Sequence, residues 1–240
     1  MNLNSHSLSF SQQKSNMSGN PYSSFLLHLF LCLSVLMVRA KSDPDPIQDY
    51  CIADNRSPQP FFINGKPCID PNQASSSHFV TSALSKPGNT KTNRYGYNAT
   101  LTNTVNLPGL NTLGLTLARI DIAGNGLYPP HSHPRASEVT TCLKGILLVG
   151  FVDTSNRLFT QQLKPGESFV FPRGLIHFIY NIDSLGPAMT LSGLSSQNPG
   201  TQIASLATFT SNPPIPDFIM KKAFQISDSD LAKIRKNLAD

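Results

Sequence analysis

The sequence predicts an all-β domain, a double-sheet jelly roll or small barrel, with short helices at its C-terminal end. Its 19 Pro and 15 Gly in 240 residues indicate many turns and few long helices. Residues 113–122 alternate apolar and polar side chains, as a half-buried strand does. Further short β-rich runs follow, separated by turn sequences at a spacing typical of such folds: residues 138–143, 146–153, 158–163, 168–171, 177–181 and 188–195.

The N-terminal 40 residues are predicted to be a signal peptide that is removed. Residues 25–38 form a largely apolar run of 14, which is short for a membrane span and suits the hydrophobic region of a signal. Cleavage is expected after Ala40, and Met17 is a more ordinary start than Met1. The alternative is an N-terminal membrane anchor. No later stretch is long and apolar enough to span, so we expect no membrane association after cleavage.

The remaining chain is mildly basic. Removal of residues 1–40 takes away Lys14 and Arg39 and no acidic residue, which lowers the net charge from +5 to +3. Lysines and arginines do not cluster in groups of five or more. The charge therefore gives no support to nucleic-acid binding.

Three cysteines remain after cleavage. Cys51 and Cys68 flank a short loop rich in Pro, Asn and Gly, as a disulfide does in an oxidising compartment. We therefore predict a disulfide-stapled N-terminal arm over residues 41–70. Cys142 has the strand parity of Glu138 and is interpreted as a buried inert thiol. A reactive or metal-ligating thiol is the alternative.

Residues 71–106 show little periodicity and are predicted to be loop with short strands, at the start of a barrel that covers residues 71–212. Asn98 begins the sequon Asn-Ala-Thr and is the predicted glycosylation site, which implies an exposed loop. The sequon at Asn55 is followed by Pro58 and is a poorer candidate.

Residues 213–240 are predicted to be a helical extension. An extended Pro-Pro-Ile-Pro segment precedes a short helix over residues 217–224. Ser227 and Asp230 have the spacing of a capping box before a second helix, whose apolar face carries Leu231, Ile234 and Leu238. This face packs either on its own barrel or on another subunit.

A metal site is the main functional prediction. His131 and His133 leave an extended segment on the same face. Glu138 follows at the start of the next strand, and His177 lies in a distant β segment that a barrel can bring back. Three imidazoles and a carboxylate bind a divalent ion and leave two octahedral positions open. Such donors suit Mn(II) or Fe(II), although affinity alone favours copper or zinc. The alternative is four ordinary core or surface side chains.

The spacing resembles a known family. Residues 126–138, GLYPPHSHPRASE, with Gly145 after them, resemble the first cupin motif, and Gly166, Pro172, His177 and Asn181 have the spacing of the second. The chain from residue 42 onward looks like the germins and germin-like proteins of plants, with further similarity in residues 43–51, 111–114, 147–151, 196–200 and 213–216.

The resemblance implies a single cupin jelly-roll barrel with Mn(II) held by His131, His133, Glu138 and His177, and no catalytic residue beyond these ligands. It also implies a Cys51–Cys68 disulfide and a secreted glycoprotein of the extracellular space, the apoplast. The expected assembly is a homohexamer, a trimer of dimers.

The sequence departs from that family at three positions. Asn125 replaces the Gly that opens the first motif, and Asn tolerates a positive φ. Ala118 and Tyr128 stand where oxalate-oxidising germins have two asparagines that hold oxalate. Each lost hydrogen bond to a charged group costs about 1.5–3 kcal/mol, and Tyr128 adds bulk at the mouth. Oxalate oxidase activity is therefore disfavoured.

Two functional hypotheses follow. The first is a manganese enzyme that dismutates superoxide, with a role in defence by analogy. Arg135 and Arg173 lie beside the ligand segments and either attract an anion or are structural. The second hypothesis is a non-catalytic protein of the extracellular matrix, or a receptor-like cupin for a small ligand.

Overall fold

The computed structural model describes residues 49–56 and 65–239. The predicted signal peptide lies outside these residues, so its prediction stays untested. Within the two described stretches, no helix combines the length and the apolar character needed to cross a membrane.

The fold is two antiparallel sheets of five strands each, in the orders β1-β2-β9-β4-β7 and β10-β3-β8-β5-β6. This is the jelly roll that the sequence predicts. The strands are β1 (Tyr97–Leu101), β2 (Thr116–Ile122), β3 (Leu127–Ser132), β4 (Glu138–Lys144), β5 (Leu147–Val152), β6 (Leu158–Leu163), β7 (Ser168–Phe171), β8 (His177–Asn181), β9 (Ala188–Leu194) and β10 (Gln202–Ile203).

The core lies between the two sheets. Alternation along each strand sends one set of side chains inward, so β2 buries Thr116, Ala118, Ile120 and Ile122. The main apolar cluster joins both sheets: Ile120, Ile122, Tyr128, Cys142, Leu147, Val149, Leu163, Phe171, Ile179 and Ala188. Cys142 is a free, fully buried thiol, as predicted from its strand parity.

Three α-helices follow the last strand: α1 (Ala204–Phe209), α2 (Asp217–Phe224) and α3 (Asp228–Ala239). The predicted helix over residues 217–224 and the capping box are confirmed. The Ser227 N–H donates to Asp230 Oδ2 (3.1 Å), and the Asp230 N–H donates to Ser227 Oγ (3.2 Å). Leu231 is buried, and α3 packs on α1 and α2. Helix α1 was not predicted and lies within the segment assigned to the barrel.

The N-terminal arm is fastened to the barrel. Cys51 and Cys68 form the predicted disulfide, and residues 57–64 of its loop lie outside the described part. Asn111 is fully buried beside it, where its Oδ1 accepts from the Lys66 N–H (3.0 Å) and its Nδ2 donates to the Lys66 carbonyl (2.8 Å). The Ala53 N–H also donates to the Pro108 carbonyl (3.1 Å), so the arm is held by backbone and side-chain hydrogen bonds together.

Two sequence expectations are corrected. Strand β2 starts at Thr116 rather than residue 113, because Thr112 (φ 65°) and Gly114 (φ 67°) take positive φ values that break extended backbone. Asn98 does not lie in an exposed loop: it is half-buried on strand β1 at the edge of its sheet, with Gly88 against its side chain. Its glycosylation stays a prediction.

Candidate metal centre

The four predicted ligands lie on or directly beside three strands, which belong to both sheets. His131 lies on β3 directly opposite His177, the first residue of β8. His133 follows β3 immediately, and Glu138 opens β4 in the other sheet. Asn125, just before β3, adopts φ 59° as its residue type allows. The barrel thus brings one carboxylate across to three imidazoles.

The four side chains converge on one point. Each offers one ligand atom, and these atoms all lie within 4.8 Å of one another. Glu138 Oε2 is 3.0 Å from His133 Nε2 and 3.5 Å from His177 Nε2. The residues are 0–5% exposed. A buried cluster of this kind needs a cation or shared protons to be satisfied.

Backbone carbonyls set the orientation of each of the three imidazoles in the cluster. The Nδ1 atoms of His131, His133 and His177 lie 2.8, 2.5 and 2.9 Å from the carbonyl oxygens of Pro129, Gly200 and Leu175. Since a carbonyl only accepts, each Nδ1 carries a hydrogen and each Nε2 turns toward the cluster.

Three acceptor atoms of the cluster have no hydrogen-bond partner although they are buried: His131 Nε2, His177 Nε2 and Glu138 Oε1. Unpartnered buried polar atoms are uncommon and call for an explanation. Neutral imidazoles with Nδ1 bound to a carbonyl are the usual form of metal-bound histidine. The residues present therefore fit a divalent metal ion.

Protonation favours the same interpretation. Burial lowers the pKa of His131 to about 3, so its ring is neutral near pH 7. Burial opposes ionisation of Glu138, but the hydrogen bond with His133 and the nearby His177 ring hold the pKa of that carboxyl below its usual range. Burial lowers the pKa of His133, but the hydrogen bond and charge of Glu138, together with the bond to the Gly200 carbonyl, leave that pKa raised above its usual value. The ionised Glu138 and the neutral His131 are in the state that binds metal, and a bound ion would displace the proton that Glu138 favours on His133.

The two departure positions line a small space beside the ligands. Tyr128 is buried and stacks between the rings of His131 and Tyr97, with centroid distances of 3.8 and 4.2 Å. Ala118 is also buried. The space has room for roughly one water molecule, and its lining carries no side-chain amide: Ala99, Leu101, Ala118, Ile120, Tyr128, His133, Glu138, Leu194 and Thr201.

Arg135 and Arg173, which lie beside the ligand segments, both donate hydrogen bonds to backbone carbonyls. Arg135 Nε donates to the Asn198 carbonyl (2.6 Å), and its Nη2 donates to Asn198 Oδ1 (3.1 Å). Arg173 Nε donates to the Pro134 carbonyl (2.9 Å). These contacts favour the structural interpretation over anion attraction.

Sequence reasoning missed the groups that orient the site. The carbonyls of Pro129, Leu175 and Gly200 belong to residues whose side chains carry no chemistry, so no residue pattern marks them. Gly200 had one indirect signal, since it ends the family-like segment 196–200. Thr201, which hydrogen-bonds Tyr128, had none.

A two-sheet barrel with three imidazoles and one carboxylate at a common point defines the cupin class, and residues 82–231 match the family model described as Cupin. Within that class the chain belongs to the germin-like proteins. It is 62% identical over 214 residues to Germin-like protein subfamily 1 member 1 of Arabidopsis thaliana, covering 89% of this chain and 99% of that one.

Two further comparisons agree. Germin-like protein 3-1 of Oryza sativa subsp. japonica is 50% identical over 214 residues, covering 88% of this chain and 95% of the relative. A solved structure described under the mechanism of oxalate oxidase has a TM-score of 0.77 and 38% identity, and covers 82% of this chain and 98% of that one. The fold of this chain is therefore shared with a protein described by its oxalate oxidase activity.

Proposed function

We propose that the protein is a secreted manganese-binding germin-like protein that dismutates superoxide and does not oxidise oxalate. The observation that carries the proposal is the buried cluster of His131, His133, Glu138 and His177, with all four ligand atoms within 4.8 Å of one another. These residues would hold the ion, which when bound supplies exchange between two oxidation states.

Manganese is favoured by the donor chemistry. The cluster offers nitrogen and oxygen atoms, and the free thiol among the described residues, Cys142, lies outside it. Such donors suit Mn(II) or Fe(II) better than a closed thiolate zinc site. Elemental analysis of the purified protein tests this preference for manganese.

The size and lining of the adjoining space favour a very small substrate. Room for roughly one water molecule suits a diatomic oxygen species better than a dicarboxylate. Neither Ala118 nor Tyr128 can donate an amide hydrogen bond, so a bound oxalate would lack these donors. The chain's own residues therefore orient the ligands, restrict access and exclude bulk water.

Secretion and self-association complete the proposal. The Cys51–Cys68 disulfide fits an oxidising, extracellular location.

The outer face of one sheet carries an exposed apolar row in which Leu117, Gly193, Val139 and Val170 are cross-strand neighbours. Phe218 on α2 is 70% exposed. Apolar surface of this kind marks interfaces, and a hexamer built as a trimer of dimers is the expected assembly.

One assay separates this enzyme from the non-catalytic matrix or receptor-like alternative. The protein is purified from a secreting host, its manganese is quantified, and superoxide and oxalate turnover are compared with those of the His133→Ala variant. We expect superoxide turnover that the variant loses, and no oxalate turnover. A manganese-loaded protein no faster than the variant would establish the binding role instead, and oxalate turnover would refute the argument from Ala118 and Tyr128.

A further inference from the structure

We infer that Arg135 is a positioning residue of the metal centre, which acts on His133 through the loop of residues 198–200. The inference deepens the proposed function and rests on it, because it concerns how one ligand of the proposed metal is held. It assigns to Arg135 a role in ligand geometry rather than in attracting an anion.

His133 is held differently from the other two imidazoles. The carbonyls that bind His131 and His177 belong to residues two positions earlier, so each ring is oriented by the backbone just before it in the sequence. The carbonyl that binds His133 Nδ1 belongs to Gly200, 67 residues away. Strand β3 also ends at Ser132, before His133. The orientation of this ring therefore depends on where a remote loop is held.

Arg135 holds that loop at three points. Its backbone N–H donates to the Pro199 carbonyl (3.2 Å), and its guanidinium donates from Nε and Nη2 to the carbonyl and the side-chain oxygen of Asn198. Two donors on one rigid planar group fix both position and angle, which a flexible ammonium cannot do.

Gly200 packs directly against this guanidinium. A Cβ atom at Gly200 would lie 2.8 Å from Arg135 Nη2, and the residue has φ 69°, which side chains other than glycine rarely adopt. The carbonyl that binds His133 thus belongs to the residue that contacts Arg135. Arg135 is only two residues from His133 in the sequence. Its guanidinium holds the loop of residues 198–200, and the same loop binds the His133 ring.

Anion attraction and ligand positioning, the two interpretations of Arg135, predict different effects of a lysine at this position. Arg135→Lys keeps the positive charge and loses the planar fork, whereas Arg135→Gln loses both. If charge matters, lysine restores the site; if the fork matters, it does not. Arg235→Gln is the matched control, because Arg235 also donates from Nε and Nη2 to backbone carbonyls, those of Phe209 and Ile215 near the helices.

Two measurements on the full secreted chain test the inference. The first is the rate at which Mn(II) is released to excess EDTA. The second, on metal-free ¹⁵N-histidine-labelled protein, is the rate at which the Nδ1–H of His133 exchanges with water, which reports the bond to Gly200 without any metal. We expect both rates to rise about tenfold, the lower end for groups that support a ligand, in Arg135→Gln and Arg135→Lys, and to stay near wild type in Arg235→Gln.

Rates within about twofold of wild type in both Arg135 variants, or full rescue by lysine, would overturn the inference. Failure of the proposed function gives a different result from failure of this inference, because the wild-type protein would then hold no manganese. In that case the exchange rate of the His133 Nδ1–H alone would decide the role of Arg135.

Discussion

Glu138 is the single carboxylate among the four converging side chains, and its charge dominates the centre. One of its oxygens faces two imidazoles, and the other is buried without a partner. A cation placed between these groups would satisfy them together. In its absence the carboxylate is stabilised by the neighbouring rings, which hold its pKa below the usual range against the effect of burial.

Glu138→Gln is therefore expected to weaken manganese binding by more than the roughly 10–100-fold typical of changes behind the ligands. The amide keeps the shape and removes the negative charge. Affinity is measured by competition with a fluorescent chelator. Glu167→Gln is the matched control, since this exposed carboxylate accepts the Lys164 N–H in a turn. Equal affinity in wild type and Glu138→Gln would show that the metal lies elsewhere.

Tyr128 supports the centre by packing. Its ring is 5% exposed and stacks on His131 and Tyr97. Tyr128→Ala should reduce the free energy of unfolding by about 3–5 kcal/mol, as truncation of a buried aromatic ring does. Tyr128→Phe keeps the stack and should lose much less. Urea unfolding of the metal-free proteins measures both, and a small loss in Tyr128→Ala would mean that the ring contributes little to the core.

At the scale of single residues, the sequence predicted which four side chains converge but not which groups orient them. Side-chain type and spacing identified His131, His133, Glu138 and His177. The carbonyls at their Nδ1 atoms are backbone groups common to all residues, and only the folded chain shows which of them meets a ring.

Among the elements, strands with turns on both sides were the most predictable. Strands β6, β7 and β8 have the predicted bounds, because Gly, Pro or Asn turns flank them. The two-residue strand β10 and helix α1 were missed. Their residues, from Gln202 to Phe209, have no cap or clear period, and contacts with β3 place them instead.

Helix α3 owes its start to a local sequence signal. Ser227→Ala removes the hydroxyl that accepts the Asp230 N–H, and should lower the free energy of unfolding by about 1 kcal/mol, the typical value of an N-cap. Thermal or urea unfolding measures the change. Ser155→Ala serves as the control, since it removes an exposed serine hydroxyl in a turn outside this helix. Equal losses in the two variants would argue against the cap.

Over the whole molecule, a metal ion at this centre would tie the two sheets together, because Glu138 belongs to one sheet and His131 and His177 to the other. A ligand that binds only the folded state stabilises it by about 4 kcal/mol at a thousand times its Kd. Chelation should therefore lower the melting temperature, and added Mn(II) should restore it. A melting temperature indifferent to chelation would contradict the coupling.

The metal content of the purified chain tests the central claim most directly. Elemental analysis of wild type and of His177→Ala, both expressed with ample manganese, should find one manganese ion per folded chain in the wild type and almost none in the variant. A folded wild-type protein without metal, or a variant with an equal content, would contradict the assignment of the four side chains to a metal centre.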